Sequence, residues 1–254
     1  MEELHYDEMS RLEESHWWHL ARQQIIPDWL GRQLGELGFK RDSKILDLGC
    51  GTGKILNILK QFGETTGLDS SHKAIAYAKS KGAGKLVVGD ATKLPFKKES
   101  FDVVSGMELL EHIKDDSGAL KEWRRVLKPN GVLFLTCPAY MWMWGPADKF
   151  AHHERRYTRG QLVTLLKRNG FRPVRASYFN TILFPGVALI RLARKPFVKL
   201  DTMKGEDLAK AFDFHIGPKF LGRYLYSLFS LERYLLRWFN LPFGVSIIVL
   251  AQKQ

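Results

Sequence analysis

The chain has 254 residues, 45% of them hydrophobic and 26% charged, proportions that exclude wholesale disorder and a fibrous repeat. Its two cysteines, Cys50 and Cys137, are too few for a disulfide framework and are expected to be free thiols. The formal net charge is +12, and the whole excess lies in residues 141–254, which hold 19 Lys and Arg against 7 Asp and Glu. We therefore expect this part to face an acidic partner: nucleic acid, anionic lipid or a phosphorylated substrate.

Between residues 44 and 137, short apolar runs alternate with apolar patterns of helical period. The runs predict five strands, at 44–48, 65–69, 85–88, 101–105 and 132–137. The intervening patterns predict helices at 54–62, at 70–81 with Ser70 as its cap, and at 115–127, followed by a turn at 128–131. Strands that alternate with helices at this spacing are parallel and joined by right-handed crossovers. We therefore expect a doubly wound, Rossmann-like α/β sheet.

The regular alternation ends at Pro138. The expected later segments are an aromatic, His-rich loop at 138–160, a helix at 158–169, a strand at 171–177, a basic aromatic cap insertion at 181–240 and a final core strand at 244–252. With an N-terminal helical lid at 1–43 and the core at 44–137, these segments form one domain over 1–254. The predicted sheet has seven strands, of which the last is antiparallel, and carries helical cap insertions.

Two features bear on location. The first 20 residues are acidic and lack an apolar run, so they do not resemble a secretory signal. The longest nearly uninterrupted apolar stretch covers the nine residues 182–190, whereas about 20 are needed to span a bilayer. We expect a cytoplasmic protein, either soluble or peripheral at the inner face of the membrane.

A glycine-rich loop, LDLGCGTG at 46–53, joins the first predicted strand to the first helix. Gly49 and Gly51 allow a tight turn and the close approach of a ligand to the helix N-terminus, although such glycines equally suit a dinucleotide site or a simple turn. Asp47 could orient the loop or accept from a ligand ammonium. Asp69 ends the second strand 20 residues after Gly49, where an acid can accept from two ribose hydroxyls, although it could also cap the next helix.

Two further segments end strands on the same side of the predicted sheet. GDATKLPF at 89–96 places Asp90 where its carboxylate could accept from an adenine amino group. SFDVVSGMELLEH at 100–112 carries Met107 and Glu108 over the cleft. Ligands of open α/β sheets bind at the carboxyl ends of strands, near the point where the strand order reverses.

With these motifs and LKPNGVLFLT at 127–136, the chain resembles the class I S-adenosylmethionine-dependent methyltransferases, and is similar to the ubiquinone and menaquinone type. The resemblance implies that the glycine loop holds the methionine moiety of the cofactor, Asp69 the ribose and Asp90 the adenine. It also implies that the N-terminal segment covers the cofactor, with Arg22 pairing its carboxylate; Trp17 could instead anchor this segment to the core. The full set of predicted cofactor contacts is Arg22, Asp47, Gly49, Gly51, Asp69, Ser70, Asp90, Ala91 and Met107.

Two groups of residues could serve the chemistry. The first is Glu108, Glu111 and His112, an E-x-x-E-H spacing similar to one with which some ubiquinone-pathway O-methyltransferases hold a divalent metal; a helix-start cluster is the alternative, and no metal is predicted here. The second is DKFAHHERRY at 148–157 in the predicted active-site loop, where HERRYT at 153–158 is similar to a methyltransferase subgroup linked with lipid or glycan assembly. We predict His153 as the base, with Tyr157 and His112 as further catalytic contacts, and Arg155 or Arg156 as a grip for phosphate or carboxylate.

The basic excess accompanies leucine and aromatic residues in the predicted cap, around Arg191, Arg194, Lys195 and Lys199 and along 219–240. This pattern favours a small-molecule acceptor and an anionic membrane surface over nucleic acid, although the helices could simply cover an edge or pair two subunits. We predict methyl transfer to a hydrophobic or amphipathic acceptor, such as a lipid, quinone or glycolipid, at oxygen. The alternatives are an NAD(P)-binding oxidoreductase, which the glycine spacing and Asp90 oppose, and a non-catalytic membrane-docking module.

Overall fold

The computed structural model describes residues 5–194 and 219–254. Its strands are β1 (Ser43–Leu48), β2 (Gly63–Asp69), β3 (Lys85–Val88), β4 (Phe101–Met107), β5 (Leu127–Pro138), β6 (Phe171–Phe179) and β7 (Ser246–Lys253). They form one sheet in the order β3-β2-β1-β4-β5-β7-β6, in which β1 to β5 are parallel. Strand β7 is antiparallel to both of its neighbours. The predicted seven-stranded Rossmann-like sheet with a reversed last strand is confirmed.

Helices cover the sheet and extend from its ends. The described helices are α1 (His5–Ser15), α2 (Trp17–Glu36), α3 (Lys54–Leu59), α4 (His72–Ser80), α5 (Asp116–Val126), α6 (Pro146–Phe150), α7 (Arg159–Arg168), α8 (Phe184–Arg194) and α9 (Lys219–Trp238). Two short 3₁₀ turns, Leu110–His112 and Met141–Met143, follow β4 and β5. The predicted His-rich loop therefore contains one 3₁₀ turn and one short helix.

Two local predictions are wrong, each because a neighbouring contact decides the conformation. The cap of α4 is Ser71 and not Ser70, because the Ser71 hydroxyl accepts from a backbone N–H of the first helical turn. The turn predicted at 128–131 lies inside β5, because Leu127 already pairs with Phe101 of β4 before the register shifts. Pairing with a neighbouring strand outweighed the local turn signal there.

The sheet order places a crevice above β1 and β4. Strand β1 lies between β2 and β4, so the chain moves outward from β1 in one direction through β2 and β3, and in the other through β4 and β5. The crevice at such a reversal, outside the carboxyl ends of the strands, is where this class of sheet binds ligands. The loops that follow β1, β2, β4 and β5 meet at this edge.

The N-terminal segment predicted as a lid is mainly a core element. Helix α2 packs along α9, and its apolar face buries Trp17, Ile25 and Trp29 against one face of the sheet. The Trp17 ring meets the ring of Phe229 edge-on, with 6.3 Å between centroids. Apolar side chains at helical spacing give α2 a buried stripe, so only α1 and the start of α2 are placed to cover the crevice.

The predicted cap insertion at 181–240 is represented by α8 and α9. Lys195 and Lys199, which contributed to its predicted basic character, lie outside the described residues. Among the described helices, none combines the length and the apolar character needed to cross a membrane.

Candidate active site

The glycine loop follows β1 and turns sharply beneath the crevice. Gly49 and Gly51 have φ values of 64° and 52°, in the left-handed region that favours glycine. A Cβ added at Gly51 would have no atom within 4 Å, so this backbone faces open space. The Gly51 N–H donates to Asp69 Oδ2 at 2.9 Å, and the Ser71 N–H donates to Asp69 Oδ1 at 2.9 Å. Asp69 thus holds the loop and the start of α4 together at the edge where the ribose was predicted.

Asp47 lies below this loop, not in the open crevice. Its side chain is buried, and the Ser105 hydroxyl of β4 donates to Asp47 Oδ1 at 2.6 Å. Burial raises the pKa of Asp47 to about 7, opposed by the Ser105 hydrogen bond and assisted by the nearby Asp69 charge. This arrangement favours the loop-orienting role, of the two roles open to Asp47 from the sequence.

The residues predicted to bind adenine follow β3. Asp90 is exposed, and its Oδ1 accepts from the N–H and the hydroxyl of Thr92, at 2.7 and 2.8 Å. The backbone carbonyl of Ala91 accepts from Trp123 Nε1 at 2.8 Å, which fixes this loop against α5. Ser70 is exposed beside Asp69.

Arg22 reaches the crevice from α2 and meets residues that end β4 and β5. Its Nη2 donates to Thr136 Oγ1 at 3.0 Å and to Glu108 Oε1 at 3.3 Å, and its guanidinium lies 4.3 Å above the Trp18 ring. Its buried Nε has no partner among the described residues. Glu108 follows Met107 with a φ of 52°, so the chain bends sharply at the end of β4. Arg22, which the sequence paired with the carboxylate of the cofactor, is here paired with the carboxylate of Glu108.

A contact that the sequence did not reveal joins α1 to the glycine loop. The Thr52 hydroxyl donates to the Glu13 carboxylate. Burial raises the pKa of Glu13, and the hydrogen bond from Thr52 opposes this shift. No motif marks Glu13, because its role depends on where α1 lies in space.

Next to this crevice, two imidazoles come together from separate segments. His112 ends the 3₁₀ turn after β4, and its ring lies 4.6 Å from that of His153, centroid to centroid, at an interplanar angle of 83°. The Glu154 N–H donates to the Glu111 carbonyl at 2.8 Å, which ties the two segments together. Burial, with the neighbouring His153, lowers the pKa of His112 to about 4, so this ring is neutral at pH 7.

Asp148 is the centre of the polar contacts behind His153. It is fully buried, and its Oδ1 lies 2.9 Å from His153 Nδ1 and 2.6 Å from Arg156 Nε. Its Oδ2 accepts from the Gly145 N–H at 2.8 Å and lies 3.6 Å from Arg191 Nη1 of α8. Burial alone would raise the pKa of Asp148, but His153 and the two arginines outweigh it and lower the pKa to about 2. The sequence places Asp148 in the second candidate group but indicates no role for it, since a carboxylate five residues before a histidine is not a recognisable signal.

Three further predicted site residues have partners within the protein. Tyr157 is only 5% exposed, and its hydroxyl donates to Asp116 Oδ2 at 2.9 Å. Arg155 is committed to Asp116 and to the Lys114 carbonyl. Arg156 is buried on Asp148 and the Ala139 carbonyl. Both arginines therefore make contacts within the protein, which take part of their hydrogen-bonding capacity.

The sequence grouped Glu108, Glu111 and His112 as possible metal ligands. The fold brings together a different set, in which His153 replaces Glu108. Glu108 pairs with Arg22, whereas Glu111, His112 and His153 have potential ligand atoms within 4.8 Å of one another. Glu111 is fully buried, and burial together with the Glu108 charge raises its pKa well above the usual range. Two imidazoles and a carboxylate could hold a divalent metal.

Both cysteines are free, as predicted. Burial raises the pKa of the Cys50 thiol and of the Cys137 thiol, so neither is a nucleophile near neutral pH.

Comparison with known proteins shows which domain this chain contains. A family model described as a methyltransferase domain matches residues 46–135. Demethylmenaquinone methyltransferase from Staphylococcus aureus is 37% identical over 136 residues, which cover 48% of this chain and 56% of that protein. Residues 46–135 therefore form a methyltransferase domain, and these similarities support the class I S-adenosylmethionine-dependent type for it. The predicted class and its cofactor, S-adenosylmethionine, are thereby confirmed, although the match spans only about half the length of that relative.

Solved structures agree on the fold of this chain. An S-adenosylmethionine-dependent methyltransferase from Mesorhizobium loti has a TM-score of 0.55 and 19% identity, and the match covers 89% of this chain and 98% of that one. The [4+2]-cyclase SpnF has a TM-score of 0.55 and 22% identity, with 89% and 80% covered. Because the same fold occurs in a protein named as a cyclase, the fold alone does not define the reaction.

Proposed function

We propose that this chain transfers a methyl group from S-adenosylmethionine to a hydroxyl of a hydrophobic or amphipathic small molecule, such as a quinone, a lipid or a glycolipid. The observation that carries the proposal is the contact between His112 and His153 beside the carboxyl end of β4. Neutral imidazole is the natural base near pH 7, and a hydroxyl acceptor must lose a proton. The name of the Staphylococcus aureus relative supports an acceptor of the quinone type.

The residues at the crevice fit the cofactor. Gly51 leaves open space where backbone could approach a ligand, and Asp69 still offers lone pairs for ribose hydroxyls while it accepts two N–H groups. The unpartnered Nε of Arg22 could donate to a carboxylate. When bound, S-adenosylmethionine supplies an electrophilic methyl group carried by a sulfonium.

The chain's own part in the reaction is alignment and proton removal. When two reactants are held in the correct orientation, their effective molarity reaches about 10⁵ M or more. Holding the acceptor in line with the methyl group in the crevice is therefore expected to raise the rate of transfer by itself. His153 is the proposed base, and the neutral ring of His112 lies beside it. Cys137, at the end of β5, is a buried thiol whose raised pKa excludes it as the base.

The acceptor can be identified by incubating extracts with isotopically labelled S-adenosylmethionine and finding the labelled product by mass spectrometry. Calorimetry with S-adenosylmethionine and with NAD separates the proposal from the oxidoreductase alternative. Binding of NAD without binding of S-adenosylmethionine would contradict the proposal.

His153→Ala tests the proposed base. We expect turnover to fall by about 10²-fold or more, because general-base catalysis contributes about 10² to 10⁴. Affinity for S-adenosylmethionine, measured by calorimetry, should stay within about twofold. His72→Ala, which removes an exposed histidine from α4, is the matched control and should keep full turnover. Unchanged turnover in His153→Ala, or loss of cofactor binding, would reject an acceptor-side base.

We also propose that the cap rests on an anionic membrane surface. The exposed face of α9 carries Leu231, Tyr234, Leu235 and Trp238, which are 50%, 45%, 41% and 72% exposed. Their spacing of three, four and seven residues makes them one stripe, opposite the face that buries Phe229. A basic, aromatic amphipathic helix of this kind favours an interface with anionic lipid.

A further inference from the structure

We propose that Asp148 is a positioning residue that holds His153 in the tautomer required of a base, and that Arg191 links this arrangement to the cap helix α8. The inference rests on the proposed role of His153. It assigns a function to a side chain that has no place in the cofactor site.

The geometry determines which nitrogen of His153 carries the proton. Arg156 Nε and the Gly145 N–H both donate to the Asp148 carboxylate, which stabilises its ionised form, and an ionised carboxylate can only accept hydrogen bonds. The 2.9 Å contact between Asp148 Oδ1 and His153 Nδ1 is therefore donated by Nδ1–H. The neutral ring then keeps its lone pair on Nε2, the nitrogen that can take a proton from an acceptor.

Asp148 orients the ring and does not itself act as a base. Arg156 occupies the same carboxylate oxygen at 2.6 Å, and the Gly145 N–H occupies the other at 2.8 Å. These contacts stabilise the ionised carboxylate, so it retains its charge when His153 becomes protonated. The His153 N–H also donates to the Asp148 carbonyl at 2.9 Å, so backbone and side chain fix the same pair.

Arg191 extends the arrangement to the cap. Its Nη1 lies 3.6 Å from Asp148 Oδ2 and donates to the Met143 carbonyl, between β5 and α6. Burial and the neighbouring Arg156 lower the pKa of Arg191 to about 10, so it stays charged at neutral pH. A movement of α8 that removed this guanidinium would therefore disturb the carboxylate that orients His153.

The first test measures the tautomer directly in the full-length protein without substrate. Histidine ¹⁵N labelling and two-bond ¹H–¹⁵N correlation spectra report which ring nitrogen is protonated. At neutral pH we expect His153 to show protonated Nδ1 and unprotonated Nε2, with His153→Ala used for assignment. Protonation of Nε2 in the neutral ring overturns the proposal.

The second test compares Asp148→Asn with Asp116→Asn, which removes a carboxylate that contacts Tyr157 and Arg155 instead. The neutral amide removes the charge that favours Nδ1–H, so we expect the Nε2-protonated tautomer to become populated and kcat to fall about 10²-fold, with KM within about twofold. Asp116→Asn should leave the His153 tautomer unchanged. If Asp148→Asn does not fold, the wild-type tautomer still decides the proposal.

The outcomes separate this inference from the proposed function. If His153→Ala loses turnover while folded Asp148→Asn keeps both kcat and the native tautomer, Asp148 has no positioning role and the proposed base stands. If His153→Ala keeps full turnover, the proposed base fails and the positioning inference fails with it, whatever the tautomer. The spectra then show only a structural hydrogen bond.

Discussion

Gly51 shows how a single backbone conformation can serve a binding site. Its φ of 52° lies in the region where an L side chain costs roughly 1–2 kcal/mol, and its N–H is held by Asp69. No protein atom would contact a Cβ at Gly51, so in the structure only the backbone conformation requires glycine there. We expect a bound cofactor to limit the space as well. The glycine spacing could therefore be understood from the sequence, because it encodes a backbone property.

Gly51→Ala tests this constraint. We expect the variant to fold but to bind S-adenosylmethionine at least about tenfold more weakly, which is about 1.4 kcal/mol, because strain in the loop and the added methyl both oppose the bound geometry. Titration calorimetry measures the change. Gly35→Ala in α2, where an added Cβ also has no atom within 4 Å, is the control and should bind normally. Wild-type affinity in Gly51→Ala would show that the loop backbone does not approach the cofactor.

The acceptor-side residues were harder to derive than the cofactor side. Asp69 follows a predicted strand, and parallel strands bring such positions to one edge. Asp148 acts through α6, a helix inside a segment predicted as loop, and through an arginine 43 residues later in the sequence. The partner of Tyr157 was equally hidden, because its hydroxyl donates to Asp116, 41 residues earlier in the sequence.

At the scale of elements, a buried carboxylate joins the two cap helices. Glu232 of α9 is fully buried, and its Oε1 accepts from the Ile182 N–H at 2.7 Å, just before α8 begins. Burial raises the pKa of Glu232 to about 7, while backbone N–H groups of residues 180–182 oppose the shift. The position of α8, and with it Arg191, therefore depends on an acid that titrates near neutral pH.

Glu232→Gln should flatten the dependence of stability on pH. Because the folded pKa lies above the unfolded value, the folded state binds more protons between about pH 4.5 and 7, and stability falls as the pH rises through this window. The full shift corresponds to about 3 kcal/mol. Denaturant unfolding at several pH values measures it, and Glu36→Gln, at an exposed surface carboxylate, is the control. Equal pH slopes for wild type and Glu232→Gln would contradict the prediction.

Element order was predictable because hydrophobic periodicity depends on neighbouring residues, whereas the ends of elements depend on tertiary contacts. The strand at β5 begins at Leu127 because β4 is beside it, which overrides the Lys-Pro-Asn-Gly turn signal. Helix α2 was predicted as part of a lid, yet α9 and the sheet enclose its apolar face. The partner of α2 comes almost 200 residues later in the sequence, so local patterns could not reveal it.

At the scale of the whole molecule, the charge excess and the exposed apolar stripe lie in the same part of the chain. Residues 141–254 carry the entire net charge of +12, and α9 lies within them. Arg237 pairs with Asp28, and Arg233 donates to Gln24 and Tyr234. Because these arginines already have partners in the protein, we expect the apolar stripe to provide most of the binding to lipid. We expect the net positive charge to provide the preference for anionic vesicles.

Vesicle flotation tests the separate roles of the apolar stripe and of the positive charge. The full chain should float with vesicles that contain anionic phospholipid and much less with neutral ones, and salt should weaken the preference because it screens charge. The double variant Leu235→Ser with Trp238→Ser should lose most of the floating fraction, because it removes two members of the stripe from the water-facing side of α9. Val88→Ser, which removes an exposed apolar residue from the opposite edge strand β3, should float like the wild type. Flotation that is unchanged in the double variant, or absent with anionic vesicles, would show that the stripe does not dock on lipid.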